Sequence, residues 1–396
     1  MIQLIVHRGG HEIGGNAVEL RSSHGRILLD LGVPLDYDVR GTADINVLRQ
    51  CGSLPQIMGL YADDIPNFDA ILLSHAHLDH SGLLSYAHPD IPLVLSRGSK
   101  VLMELSTRFL KQPNLMNRQI IFEMYRKFTI ADMHITPYLM DHSAFDAAAF
   151  EIHIDGHRVV YTGDFRSHGR KGASFERFLE RTVPSPGVLL CEGTTLGRSY
   201  NIAQTEIELE LKITEYLKNT NGIALFQCAS QNIDRLVTFY RAARRSGRTM
   251  VVDRYTAATL AELHKLGNNL PTVKTHSNLS IYSPQETRKT LRLIRPSMLG
   301  ELRKDDTIQN GIFFYSLWSG YRNQSGQIEL EDFLYSRDIE LVEAHTSGHV
   351  DAETLQRLLS KLNPKQIIPI HTGSPEGFKE FSDRVRVVQD GEIIEC

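Results

Sequence analysis

The chain reads Ser74-His75-Ala76-His77-Leu78-Asp79-His80-Ser81-Gly82 directly after the apolar run Ile71-Leu72-Leu73, and this stretch decides the fold. Core packing does not explain so many imidazoles beside a carboxylate, because buried polar groups need partners. Neutral imidazole nitrogens bind zinc and similar divalent ions, and a carboxylate adds a harder oxygen ligand. In an H-x-H-x-D-H pattern, the first two histidines can bind one ion while the aspartate and the last histidine turn toward a second. The pattern therefore predicts a dinuclear metal hydrolase, and the alternative is a solvated strand-to-helix loop.

The composition is that of an ordinary globular protein. Hydrophobic residues make up 41% of the 396 residues and charged residues 23%, and the length allows two or three domains. No apolar run approaches the ~20 residues that span a bilayer, and the N-terminus reads as a strand rather than a signal peptide. The cysteines lie far apart, which argues against a disulfide framework and a thiolate zinc site. We therefore expect a cytoplasmic protein with no membrane partner.

The charge is unevenly distributed along the chain. The net charge is −4, but residues 201–330 carry 17 Lys and Arg against 12 Asp and Glu. An acidic body with a metal centre and a mildly basic middle segment suits an anionic substrate. Ordinary surface variation explains a difference of this size equally well.

The pattern of secondary structure changes twice. Up to about residue 200, short strands end in polar residues, which predicts sheets sandwiched by helices. From Thr205 onward, strands such as Ile223–Gln227 alternate with helices such as Asn232–Arg245, which predicts a parallel sheet in a separate α/β domain. The first pattern then returns, and the strand Gln366–Ile370 ends at His371. We predict a first domain at 1–200 that resumes at 336–396, with residues 201–335 inserted into it.

Three further ligand candidates stand at strand ends or in turns. His142 follows an irregular stretch, Asp164 follows Tyr161-Thr162-Gly163, and His371 follows its strand. Each residue alone is more often a hydrogen-bonded structural group or a turn residue. Behind a full H-x-H-x-D-H motif they supply the remaining ligands that two metal ions need.

In this order, Asp30, the His75–His80 motif, His142 and Asp164 resemble the metallo-β-lactamase superfamily. Its nucleic-acid-processing branch, the β-CASP nucleases, is matched by Glu192 in Leu-Cys-Glu-Gly-Thr, by His349 in His-Thr-Ser-Gly-His and by His371 in Pro-Ile-His. The chain is most similar to ribonuclease J-like enzymes, and the similarity covers essentially all of it. It implies an α/β fold, the αββα metallo-β-lactamase sandwich, with an inserted β-CASP α/β domain built on a parallel sheet.

The resemblance assigns a role to each candidate residue. One Zn²⁺ would be held by His75, His77 and His142. The other would be held by Asp79, His80 and His371, with Asp164 bridging both. Asp30 would accept a hydrogen bond from the second ring nitrogen of a ligand histidine. The implied catalytic residues are Asp79, His349 as the general acid and Glu192 as its partner. Mn²⁺ can replace zinc in such a nitrogen and oxygen site.

Substrate contacts are expected in two segments. Ser230, Asn232 and Arg235 lie where a strand meets a helix N-terminus, an arrangement that suits a phosphate. His345, Thr346 and Ser347 are candidates for a second phosphate or a terminal 5′-phosphate. Trp318 can stack on a base, and a core or interface position is an equal alternative.

These observations together predict a zinc-dependent ribonuclease that acts on single-stranded RNA, 5′-monophosphorylated RNA included. A 5′-to-3′ exonuclease is expected, and endonuclease action stays open. The alternatives are a DNA-acting β-CASP nuclease, against which His371 argues because DNA-repair members usually carry an apolar residue there, and a non-catalytic scaffold subunit. Sequence leaves the oligomeric state open, with a homodimer as one alternative.

Overall fold

The computed structural model of the chain describes residues 2–35, 44–197, 204–267, 270–275 and 288–395. The chain forms two compact units. The first consists of Met1–Ser167, Lys171–Ile202 and Gly348–Cys396, and the second of His168–Arg170 and Ala203–Ser347.

Two sheets build the first unit. The strands of one are β1 (Gln3–Arg8), β2 (Ala17–Arg21), β3 (Arg26–Leu29), β4 (Ala70–Leu72), β5 (Leu93–Ser96), β6 (Gln119–Phe122) and β19 (Ile393–Glu395). They are ordered β19-β1-β2-β3-β4-β5-β6, antiparallel up to β3 and parallel beyond it. The strands of the other are β7 (Phe128–Ile130), β8 (Met133–Leu139), β9 (Ala148–Ile154), β10 (His157–Tyr161), β11 (Val188–Glu192) and β18 (Gln366–Ile370). These are ordered β18-β11-β10-β9-β8-β7.

The helices mostly follow the strands. They are α1 (Ile45–Gln50), α2 (Leu78–Ser81), α3 (Arg97–Leu110), α4 (Gly172–Arg181), α5 (Glu206–Asn219), α6 (Ile233–Arg245), α7 (Arg254–His264), α8 (Leu299–Leu302), α9 (Ser325–Tyr335) and α10 (Ala352–Leu362). Short 3-10 helices lie at Leu84–Tyr86, Pro296–Met298, Ser319–Asn323 and Pro375–Glu380. Several helices begin at side-chain caps, such as the capping box of Thr205 and Glu208 before α5.

The core of the first unit lies between its two sheets. Inward-facing apolar side chains of both sheets, such as Leu72 and Phe150, form one buried cluster. The outer face of the second sheet packs against α4 and α10, where Phe178 and Leu358 are fully buried, and α1 covers the outer face of the first sheet. Each fully buried side chain of this size contributes about 1.5–3 kcal/mol. The predicted αββα sandwich is therefore confirmed.

The second unit is a parallel sheet with helices on it. Its strands are β12 (Ile223–Gln227), β13 (Thr249–Val252), β14 (Lys274–Thr275), β15 (Thr290–Leu293), β16 (Gly311–Tyr315) and β17 (Ile339–Glu343), in the order β14-β13-β15-β12-β16-β17. Every pairing among these strands is parallel, as the alternation of strands and helices predicts. β17 pairs with β16 in this sheet, so the chain returns to the first unit at Gly348 and not at the predicted residue 336. An apolar strand pattern does not reveal which of two sheets the strand joins, and this caused the difference.

Candidate metal centre

The H-x-H-x-D-H motif lies where β4 ends and α2 begins. His77 takes the position just before the helix, and Asp79 and His80 lie in its short length. The segment after β3 runs alongside, with the Leu31 N–H donating to the His80 carbonyl. A Cβ atom on Gly32 would lie 1.6 Å from the carbonyl oxygen of Asp79, so this close approach requires glycine.

The first group of candidate ligands consists of three histidines whose ligand atoms all lie within 4.8 Å of one another: His75, His77 and His142. The His77 Nδ1 and His142 Nε2 atoms are 3.3 Å apart. His142 Nδ1 donates to the Gly348 carbonyl at 2.5 Å, which leaves its Nε2 without a proton. His75 Nδ1 lies 3.0 Å from the Ser74 hydroxyl, and its Nε2 is buried without a hydrogen-bond partner among the described residues. A buried nitrogen without a hydrogen-bond partner is expected of a residue that binds a metal ion.

Burial sets the protonation of this first group. It lowers the pKa of His77, and it holds the pKa values of His75 and His142 well below the ordinary value of 6.5. All three imidazoles are therefore neutral at physiological pH. The neutral imidazole is the form that binds a metal ion.

The second group contains carboxylates as well as histidines: Asp79, His80, Asp164 and His371. The Nε2 atom of His371 is 3.2 Å from Asp79 Oδ2, and that of His80 is 3.1 Å from Asp164 Oδ2. The Thr194 hydroxyl donates to the His371 carbonyl at 3.2 Å, so at 2.8 Å it accepts from the Nδ1–H of the same residue. The Nε2 atom of His371 is therefore left to face the ligand group.

Asp164 lies between the two groups. Its Oδ2 atom is 3.7 Å from His75 Nε2 and 3.8 Å from His142 Nε2, besides its contact with His80. Its Oδ1 atom is buried and accepts no hydrogen bond within the described part of the chain. Burial alone would raise the pKa of this carboxyl, but the surrounding histidines hold it well below its usual range. Asp164 thus presents an ionised carboxylate to both groups.

Asp30 anchors the motif from behind. Its carboxylate accepts from the Ser74 N–H at 2.7 Å, from His80 Nδ1 at 2.8 Å and from the Tyr161 hydroxyl at 2.6 Å. The contact with His80 Nδ1 fixes the tautomer that leaves Nε2 for an ion. Burial and the neighbouring Asp30 raise the pKa of Tyr161 well above its ordinary value, so its hydroxyl stays a donor.

Glu192 is locked by the backbone around it. Its side chain is fully buried, and it accepts the N–H groups of Phe165 at 3.0 Å, Thr194 at 3.1 Å and Val350 at 3.2 Å. Both carboxylate oxygens are therefore engaged, which fits an orienting group better than a metal ligand.

His349 lies beside this carboxylate. Its Nδ1 atom is 3.3 Å from Glu192 Oε1 and 3.6 Å from Asp164 Oδ2. Burial would lower the pKa of His349, but the two carboxylates outweigh it and raise the pKa to about 9. A distance criterion alone also groups His349 with Asp164, Glu192 and His371 as a third set of potential ligands. The contact with Glu192 sets His349 apart, because backbone N–H groups hold that carboxylate away from the two ligand groups.

Sequence reasoning missed three residues that orient the ligands. They are Ser74, Tyr161 and Thr194, which hydrogen-bond to Asp30, to ligand histidines or to both. All three are polar residues at strand ends and lie within motif segments, which is the signal that marks them.

In the second unit the structure corrects the expectation that Arg235 presents its guanidinium to a phosphate. Arg235 is fully buried, and its Nη2 atom donates to Glu206 at 3.0 Å and to the Thr346 carbonyl at 3.2 Å. Its Nη1 atom donates to the Ala344 carbonyl at 3.1 Å, and its Nε atom to Glu206 at 3.2 Å. Every guanidinium nitrogen is thus engaged inside the unit, and the residue organises the fold.

Ser230 and Asn232 are also engaged by protein groups. Ser230 shares a 2.8 Å hydrogen bond with Thr256, and the Asn232 side chain caps α6 by accepting from the Arg235 N–H at 3.1 Å. In the first turn of α6, the Asp234 carboxylate already places a negative charge at the helix N-terminus. Substrate contacts of Ser230 and Asn232 stay a prediction.

The other predicted substrate segment follows β17. The His345 side chain is exposed, the Thr346 hydroxyl donates to the Gln204 carbonyl, and the Ser347 carbonyl is 2.9 Å from His168 Nε2. Substrate contacts of these residues stay a prediction.

Of the helices that the structure describes, none is both long and apolar enough to cross a bilayer.

Comparison with known proteins finds two family models that together span the candidate ligands. A model of the "Beta-lactamase superfamily domain" matches residues 43–210, and one of the "Zn-dependent metallo-hydrolase RNA specificity domain" matches residues 339–394. The chain is similar to Ribonuclease J of Pyrococcus abyssi, at 22% identity over 94% of this chain and 90% of that protein. It is similar to Ribonuclease J 2 of Streptococcus pyogenes, at 20% identity over 99% of this chain and 75% of that one.

A solved structure shares the whole fold. It is a protein of unknown function from Enterococcus faecalis, with a TM-score of 0.83, 22% sequence identity and coverage of 99% of both chains. The ligand groups, the sandwich fold and the matched families agree with one another. The chain therefore contains regions that match a β-lactamase superfamily domain and a zinc-dependent metallo-hydrolase RNA specificity domain, is similar to ribonuclease J along most of its length, and is a metal-dependent hydrolase.

Proposed function

We propose that the protein is a zinc-dependent ribonuclease that hydrolyses the phosphodiester bonds of single-stranded RNA. The observation that carries the proposal is the position of Asp164 between two groups of ligand atoms, with His349 beside it. The names of the similar ribonucleases and of the RNA specificity domain matched at residues 339–394 support RNA as the substrate.

The donor set fits two divalent ions. We assign His75, His77 and His142 to one Zn²⁺ and Asp79, His80 and His371 to the other, with Asp164 shared. The buried and unpartnered His75 Nε2 and Asp164 Oδ1 atoms support this assignment, because both would otherwise be left unsatisfied. When bound, two such ions activate water and offset the charge of the scissile phosphate. Mn²⁺ suits the same mixture of nitrogen and oxygen ligands.

His349 is suited to donate a proton to the leaving oxygen. A pKa of about 9 keeps it protonated at neutral pH, and its Nδ1 atom faces the carboxylates of Glu192 and Asp164, which orient the ring. Glu192 cannot turn away, because three backbone N–H groups hold its carboxylate. Proton donation by a positioned side chain contributes about 10²–10⁴-fold to a rate.

The finer parts of the proposal concern the substrate and the domains. We propose a 5′-to-3′ exonuclease that favours 5′-monophosphorylated ends, with residues 201–335 as the β-CASP domain. A non-catalytic scaffold would be expected to have lost ligands, whereas all seven candidate ligands lie in the two ligand groups of the first unit.

End-labelled single-stranded RNA and DNA of equal sequence, with either 5′-monophosphate or 5′-hydroxyl ends, test the proposal. Release of mononucleotides from 5′-phosphorylated RNA alone is the expected result. Internal fragments would overturn the exonuclease assignment, and equal cleavage of DNA would overturn the assignment of RNA. Tight binding of RNA by zinc-loaded protein without cleavage would favour the scaffold.

A further inference from the structure

The sheet of the second unit has a topological switch point between β12 and β16. From β12 the chain continues through α6 to β13 on one side, and from β16 it continues through α9 to β17 on the other. Ligands of open parallel sheets bind in the crevice outside the strand ends at such a point. The packing agrees, because α6 and α9 cover opposite faces of the sheet.

Two aromatic clusters establish those faces. The ring of Phe239 in α6 lies against that of Phe226 in β12, with centroids 4.3 Å apart and an interplanar angle of 32°, and its centroid is 6.1 Å from that of Phe314 in β16. On the other face, Leu330 and Phe333 of α9 pack in one cluster with the neighbouring strand residues, such as Phe313. The connections after β12 and β16 therefore leave the sheet in opposite directions.

An aromatic pair stands in the connection after β16. The side chains of Trp318 and Tyr321 are 47% and 42% exposed, with ring centroids 5.5 Å apart and an interplanar angle of 86°. A Cβ atom on Gly320 would lie 2.4 Å from the indole, so the backbone of this glycine lies against the Trp318 ring. The Tyr315 hydroxyl donates to the Trp318 carbonyl at 3.0 Å. The indole is thus supported on one side while half of it faces solvent.

The neighbouring charges compensate one another. Arg322 donates to Glu331 at 2.7 Å and to Glu343 at 3.2 Å, and its guanidinium lies 5.7 Å from the centre of the Tyr315 ring. Because its charges are paired, this surface attracts a phosphate only weakly. Its exposed indole can stack with a flat apolar ring.

A buried polar group at the end of β12 also favours a ligand near the switch point. Gln227 is 4% exposed, and its Nε2 atom donates to Gln327 of α9 at 2.9 Å. Its Oε1 atom is buried and has no hydrogen-bond partner in the described ranges. A buried acceptor without a protein partner at a strand end of the switch point calls for a water molecule or a ligand group there.

We infer that the platform formed by Trp318 and Tyr321 binds an unpaired nucleobase of the RNA substrate. The inference rests on the proposed function, because it takes RNA as the ligand. Every base has a π-face, so such a platform holds single strands without reading their sequence. The supported indole loses little freedom when a base stacks on it, which favours binding.

The single tryptophan of the chain makes the test direct, because its fluorescence reports on the platform alone. Full-length, zinc-loaded protein carrying His349→Ala, which slows cleavage, is titrated with an oligoadenylate and with an abasic ribose-phosphate chain of equal length. We expect quenching by the oligoadenylate and none by the abasic chain. Quenching by both, or by neither while anisotropy reports binding of labelled oligoadenylate, would overturn the inference.

Kinetics of otherwise unaltered protein provide the second measurement. Trp318→Ala should raise KM for single-stranded RNA about tenfold with kcat little changed, and Trp318→Phe should restore most of the loss. Tyr335→Ala is the matched control, since Tyr335 is 85% exposed at the far end of α9 and should leave KM unchanged. An unchanged KM in Trp318→Ala, with RNA still cleaved, would refute the platform and leave the ribonuclease intact. Absence of any RNA binding and cleavage in the unaltered protein would instead refute the proposed function.

Discussion

The metal centre of the first unit and the start of α6 in the second unit are both clusters of buried polar residues where a strand ends. In the metal centre, His75 Nε2 and Asp164 Oδ1 are buried and accept no hydrogen bond within the described ranges. At the start of α6, the side chains of Arg235 and Asn232 are engaged by protein groups. Buried polar atoms without a partner indicate a ligand, whereas satisfied ones hold the fold together. Buried polar residues at the end of a strand therefore have opposite meanings in the two places.

The largest effect should come from removing a ligand of the first group. His77→Ala should abolish hydrolysis and lower the zinc content, because the two remaining histidines cannot complete a site. Zinc is measured by atomic absorption alongside RNA cleavage. His153→Ala, an exposed histidine of the same unit, should change neither quantity. Full zinc content in His77→Ala would remove His77 from the ligand set.

His349→Ala separates catalysis from metal binding. The rate of RNA hydrolysis should fall about 10²–10⁴-fold, because the proton donor is lost. Zinc content should stay at the level of the unaltered protein, since His349 contacts Glu192 and lies outside the two groups that we assign to zinc. A loss of zinc equal to that of a ligand variant would show that our division of roles is wrong.

Arg235→Ala tests whether the buried polar residues at the start of α6 stabilise the fold rather than bind a ligand. Removing one partner of a buried ion pair leaves Glu206 uncompensated, which destabilises by about 3–5 kcal/mol. Trp318 fluorescence during urea unfolding follows the second unit, and zinc content should be unchanged. Arg241→Ala, on the exposed side of the same helix, is the control and should change the free energy of unfolding little. Normal stability of Arg235→Ala with weakened RNA binding would restore the predicted phosphate contact.

The smallest effect is expected from Tyr161→Phe, which changes a partner of Asp30 rather than a candidate ligand. Tyr161→Phe removes the hydrogen bond to Asp30, and with it part of the support for the tautomer of His80. We expect zinc affinity to fall by roughly tenfold, the lower end of what partners of metal ligands contribute. Competition with a chelator measures this without activity. Tyr138→Phe removes a buried hydroxyl that donates to Glu151, and its zinc affinity should match that of the unaltered protein.

Local chemistry made much of the fold and the ligand motif predictable. The ligands His75 to His80 are adjacent in sequence, and the alternation of strands and helices after Thr205 predicts the parallel sheet correctly. Tyr161 was missed because its partner, Asp30, is 131 positions away. Arg235 was misjudged for a related reason. Its position at a helix N-terminus suggests a phosphate site, whereas the burial of its guanidinium depends on Glu206, 29 positions earlier. Pairing across such separations follows from the assembled sheets and cannot be read from spacing.

The position of His371 in the chain has a consequence for biosynthesis. The first ligand group is complete once His142 has been made, whereas the second waits for His371, about 230 residues later. At ordinary rates of translation this interval lasts roughly 10–50 s. Gly348, whose carbonyl fixes the His142 tautomer, also arrives late. A nascent polypeptide therefore lacks a complete second ligand group until His371 has been made, and the proposed nuclease cannot act on RNA before then.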